Sequence, residues 1–123
     1  MSAVPRVMLV ASDLFFVARI GETARAAGVA LVEVDTAGAL DLCRSSPPDL
    51  VILDLHGPGD PIALARAIKS DPASRAVPIV AYYSHVERDL GDRAKAAGID
   101  QVLARSAFTV KLPELLARIR AGG

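Results

Sequence analysis

The chain reads as a three-layer α/β/α domain built on a five-stranded parallel sheet. Five short apolar runs alternate with five stretches of helical periodicity along 123 residues. The runs are near-continuous in Val, Ile and Leu rather than alternating with polar residues. That pattern suits strands covered on both faces, as in a parallel sheet clothed by helices. Enough chain lies between successive runs for a helical crossover, and such crossovers are right-handed.

The first strand is expected over Arg6–Ala11. In helix 1, Phe16, Ile20, Ala24 and Ala27 share one face, and Gly28 supplies the stop. Val29–Asp35 is the second strand, and helix 2 starts near Thr36. It must end before Pro47-Pro48, because a residue preceding proline is pushed out of the helical region. Leu50–Asp54 is the third strand. Asp60-Pro61 then pairs an N-cap with proline at the first helical position, opening helix 3 through Lys69. Val77–Tyr82 is the fourth strand, and Ser84-His85-Val86-Glu87 has capping-box spacing for a helix 4 that closes at Gly98. Gln101–Ala104 completes the sheet, and helix 5 turns Leu112, Leu115, Leu116 and Ile119 towards it.

Composition narrows the function classes. At 52% hydrophobic and 23% charged residues, a packed domain is expected, here a single one spanning 1–123 with no output domain after helix 5. Fourteen basic residues balance fourteen acidic ones, leaving no net field to gather nucleic acid or an anionic membrane. No apolar run approaches the roughly 20 residues that span a bilayer. The lone Cys43 excludes an internal disulfide and fits a reducing cytoplasmic setting. His56 and His85 form no ligand cluster at zinc spacing, and both are expected in solvated loops. No Walker loop, G-x-G-x-x-G turn or G-x-S-x-G elbow is present, so no enzyme activity is expected.

In open α/β sheets ligands bind beyond the carboxyl ends of the strands. That edge should gather Ala11, Ser12, Asp13, Asp54, His56, Tyr83, Ser84, Arg105 and Ser106. The stretch "PPDLVILDLHGPG" resembles the phosphoacceptor strand of bacterial response-regulator receiver domains, with Asp54 at the aspartate that takes the phosphoryl group. "VPIVAYYSH" is similar to the fourth receiver strand and "AAGIDQVLARSAF" to the fifth, where the family reads Lys-Pro before an aromatic. The resemblance covers essentially the whole chain. It implies the flavodoxin/CheY-like (βα)5 fold with strand order 2-1-3-4-5, and a role in two-component or phosphorelay signalling.

The same resemblance marks departures. In the family two acids at the end of strand 1 hold Mg²⁺, together with the acceptor and a backbone carbonyl that falls at His56. Here the acidic positions read Ala11 and Ser12. Mg²⁺ depends on carboxylates for its few protein ligands, so any metal site, resting on Asp13 and Asp54, is weak. Asp13 is either a late metal ligand or the N-cap of helix 1, and its position favours the cap. Tyr83 stands where the family has Thr or Ser, and Ser84 reads better as the N-cap of helix 4. Val102 replaces the strand-5 aromatic. Arg105 replaces the conserved lysine of the family, a change of head-group shape rather than charge, and Ser106 replaces a proline behind a cis bond. A cis bond before Ser costs about 3 kcal/mol, so a trans bond and a shifted loop are expected. Asp54 keeps its identity and spacing, and a fixed Arg105–Asp54 pair is expected in place of a switchable site.

These departures lead to a stand-alone, degenerate pseudo-receiver that acts by protein–protein interaction. Its partner would be a histidine kinase or a downstream effector, and the chain a monomer or weak homodimer. The partner surface implied by the family would display Arg88, Asp89, Asp92, Arg93 and Lys95. Phe15, at the start of helix 1, either anchors a partner or tucks under a loop. Two alternatives stand beside this reading: a working phosphorelay receiver accepting a phosphoryl group on Asp54, and a small-ligand or cofactor binder at the carboxyl edge. "DLHGPG" satisfies the D-x-H-x-x-G pattern of cobalamin-binding domains, but it follows the third strand rather than the first. No cofactor is expected.

Overall fold

In the computed structural model, residues 4–84 and 89–122 are described, the last two without their side chains. The elements run β1 (Arg6–Val10), α1 (Leu14–Ala27), β2 (Ala30–Glu33), α2 (Thr36–Ser45), β3 (Leu50–Asp54), α3 (Pro61–Ser70), β4 (Ile79–Tyr83), α4 (Leu90–Ala96), β5 (Gln101–Ala104) and α5 (Arg105–Gly122). All strand pairs are parallel, and the sheet order is β2-β1-β3-β4-β5, as the resemblance implied. No helix among the described residues is long and apolar enough to cross a membrane.

Alternation along the strands divides the interior into two cores. Val51, Leu53, Ile79 and Ala81 face α2, α3 and α4, where Cys43, Ile68 and Ala94 are buried. Leu50, Ile52, Val80 and Tyr82 face the other way, against Phe16 and Ile20 of α1 and Phe108 and Leu116 of α5. Each β3 side chain from Leu50 to Leu53 is therefore buried, which explains the unbroken apolar run.

Local signals set most element ends. Gly28 closes α1 with φ 73°, its N–H returning to Ala24 and Arg25 carbonyls. Asp35 and Asp60 cap α2 and α3 through side-chain bonds to Gly38 and Ala63 N–H. β1 stops at Val10 and β2 is shorter than expected, because Val29 is held in the α1 turn and Asp35 is spent on capping. β4 begins two residues late, since Val77 N–H closes a turn onto Ser74 and Pro78 has no N–H.

Helix 4 departs furthest. It begins at Leu90 rather than beside Ser84, and Asp89 before it adopts the left-handed conformation (φ 65°) without a side-chain cap. A left-handed residue interrupts any helix, so the Ser84–Glu87 spacing does not start α4. Residues 85–88, with His85 and Arg88, lie outside the described residues. No cis peptide bond occurs among the described residues, and α5 follows β5 directly at Arg105 without the shifted loop that was expected.

Candidate functional site at the carboxyl edge

Asp54 is the last residue of β3 and half-buried. One carboxylate oxygen, Oδ1, accepts the His56 N–H at 2.9 Å, a short turn that fixes the side chain at the sheet edge. His56 is itself half-buried. Next to it on β1, the chain leaves the sheet through Ala11, half-buried, and Ser12, exposed, neither of which brings a negative charge.

Asp13 is the sole acid at the end of β1, and both its oxygens are engaged. Oδ1 accepts from Phe15 and Phe16 N–H at 3.1 and 3.2 Å, capping α1. Oδ2 accepts from Arg105 Nη2 at 2.6 Å. The Arg105 bond, then the Phe16 N–H, hold the Asp13 carboxyl below its ordinary value. The guanidinium also lies over the Phe16 ring, 4.0 Å from its centroid. Arg105 thus pairs with Asp13, and the expected Arg105–Asp54 pair is not formed. Capping fixes Asp13 beside Phe16, and that ring supplies the apolar surface on which a planar guanidinium rests.

Beneath this pair lies an aromatic cluster. Tyr82 meets Phe16 edge-on at 4.9 Å between centroids and Phe108 at the same separation, with Phe16 and Phe108 5.9 Å apart. The Tyr82 hydroxyl is buried and has no hydrogen-bond partner among the described residues. Burial, then the charge of Asp54, push its pKa above the ordinary phenol value, so it stays neutral. Sheet register places Tyr82, not Tyr83, alongside Asp54. Tyr83 is half-buried and packs against the opposite core, while Ser84 is exposed just past the strand. Tyr82 was overlooked in the sequence, although period-two alternation puts it on the same face as Val80.

The residues present do not suit Mg²⁺. Among the described residues no three His, Cys, Asp or Glu side chains converge on a point that could hold a metal. Of the two candidates, Asp54 has one oxygen without a hydrogen bond among the described residues, but Asp13 would have to abandon both the helix cap and Arg105. Asp89, just before α4, and Asp92, Arg93 and Lys95 on it are all exposed.

Solved structures share this architecture. A putative response regulator from Chloroflexus aurantiacus J-10-fl superposes with a TM-score of 0.84 at 21% identity, covering 97% of this chain and 99% of its own. The receiver domain of the sensor histidine kinase PA1611 from Pseudomonas aeruginosa PAO1, with magnesium coordinated in its active-site cleft, gives 0.83 at 22%, covering 98% and 100%. The fold is that of a receiver domain. A phosphorylated cyanobacterial phytochrome response regulator, RcpA, shares the receiver fold at a TM-score of 0.77 and 22% identity, covering 95% of this chain and 91% of its own. In sequence, 74 residues are 38% identical to the sensor histidine kinase AruS of Pseudomonas aeruginosa, a match to 58% of this chain but only 7% of that protein. No protein-family model matches the chain.

Proposed function

We propose that this chain is a receiver-like module of two-component signalling that acts in the cytoplasm by binding a partner protein, without catalysis and without phosphoryl transfer to Asp54. The observation that carries the reading is the double engagement of Asp13 by the α1 cap and Arg105. A carboxylate accepting a phosphoryl group needs a cation to offset the charge already on that group. Ala11 and Ser12 offer no carboxylate for one, and Asp13 is held away from the task.

Output then rests on recognition. Asp89, Asp92, Arg93 and Lys95 give α4 an exposed face of mixed charge, which favours specific pairing over general stickiness. The partner class is a histidine kinase or a protein downstream of one, in keeping with the kinase relative. A second reading, a working phosphorelay receiver, draws support from Asp54 at the strand end, whose second oxygen has no hydrogen bond among the described residues.

Divalent-ion binding separates the two. Titration with Mn²⁺, followed by calorimetry or electron paramagnetic resonance, is expected to show no saturable site below about 10 mM. A submillimolar site abolished by Asp54→Asn would favour the second reading.

A further inference from the structure

A pronounced concavity at the carboxyl edge is not centred on Asp54. It is a groove of about 720 Å³ between the first turns of α1 and α5, open at the carboxyl edge of β4 and β5. Phe15 and Phe16 form its apolar wall, Arg19 and Arg105 its charged one, and Tyr83 and Thr109 add hydroxyl-bearing side chains. No acidic residue is among its described lining residues. Arg105 is charge-paired with Asp13, so Arg19 carries the surplus positive charge among the described lining residues.

The two arginines differ in a way that matters for binding. Arg105 is pre-set by Asp13 and Phe16, yet among the described residues it uses one N–H group, leaving others for a ligand. The Arg19 guanidinium has no hydrogen bond or ion pair among the described residues. Phe15, at 92% exposure, is the most exposed large apolar side chain described, and it lies one helical turn before Arg19 on the same face of α1. An aromatic ring and a free guanidinium thus stand together at the rim, with a second, fixed guanidinium opposite.

From this arrangement we infer that the groove is a binding site for a small aromatic anion: a flat apolar body against the exposed ring of Phe15, its carboxylate, sulfonate or phosphate held by Arg19 and Arg105. Its size falls within the range that encloses drug-sized ligands, roughly 300–1,000 Å³. Charge and shape both select this class. A neutral aryl compound leaves the guanidiniums unused, and a bare inorganic anion leaves the apolar wall wet. Asp54 is not part of the groove, so this site is independent of whether Asp54 accepts a phosphoryl group.

The test uses the full chain with anilinonaphthalene sulfonate as the aromatic anion and phenyl naphthylamine as its uncharged counterpart, read by probe fluorescence. The anion should saturate at one equivalent and bind more tightly than the neutral probe. Arg19→Gln should weaken the anion about fivefold to tenfold and leave the neutral probe unchanged, the effect of removing one charged hydrogen bond. Phe15→Ser should weaken both, and Asp54→Asn neither. Both Arg19 and Phe15 project from the surface, so these variants should fold as the parent does. Equal affinity for the two probes, indifference of the anion to Arg19→Gln, or no saturable binding would each overturn the assignment.

Discussion

The hydroxyl of Tyr82 sits among Phe16 and Phe108 with no partner among the described residues, and an unmet buried hydroxyl costs about 1–3 kcal/mol. Tyr82→Phe should therefore stabilise the protein by about 1 kcal/mol, raising Tm by about 4 °C in thermal unfolding. Destabilisation of similar size would mean that the hydroxyl is bonded. Its raised pKa has a second consequence. The unfolded chain ionises Tyr82 near pH 10.0 while the folded one does not, so its contribution is complete below that pH and lost as pH climbs above it. Tyr82→Phe should flatten that alkaline loss. Asp13 behaves in the opposite sense. Its lowered pKa adds stability that is present above the ordinary value of 3.8 and is lost as pH falls through the folded value. Asp13→Asn retains a good cap but not the ion pair, so it should be less stable than the parent at neutral pH. The gap in Tm should close below pH 3.8, and a gap that stays constant down to acid would show that Asp13 stays uncharged.

Element ends show which signals are local. Gly28 stops α1 because a left-handed residue is needed there, and glycine meets no steric penalty in that region. Gly28→Ala should cost about 1 kcal/mol, seen as a lower denaturant midpoint with an unchanged slope. An unchanged midpoint would mean that the chain leaves the helix by another route. Such caps, and the Asp60-Pro61 start of α3, were legible because cap and helix are neighbours in sequence. The start of α4 was not, since capping-box spacing at Ser84 says nothing of the backbone angle at Asp89. Arg105 and Asp13 lie 92 residues apart, and no periodicity links them. The choice between Asp13 and Asp54 as its partner depends on where Phe16 holds its ring, a matter of packing in three dimensions. Tyr82 was readable in principle. Once β4 pairs with β3, alternation alone puts that side chain on the Asp54 face.

At the scale of the whole molecule, two cores on one parallel sheet support the carboxyl edge on both faces. The acid at the end of β1 serves a helix cap and an ion pair, a guanidinium rests on an aromatic cluster, and the acceptor-like Asp54 is left with a turn amide. On this account the fold persists as a binding platform, with its charge on α4 and its groove between α1 and α5. The most direct test is intact-protein mass after incubation with a small phosphodonor and Mg²⁺, run beside Asp54→Asn. The account predicts no phosphoryl increment on either protein, with both folded. An increment on the parent and none on the variant would contradict it, and would require Asp13 to leave Arg105 and join Asp54 around a cation.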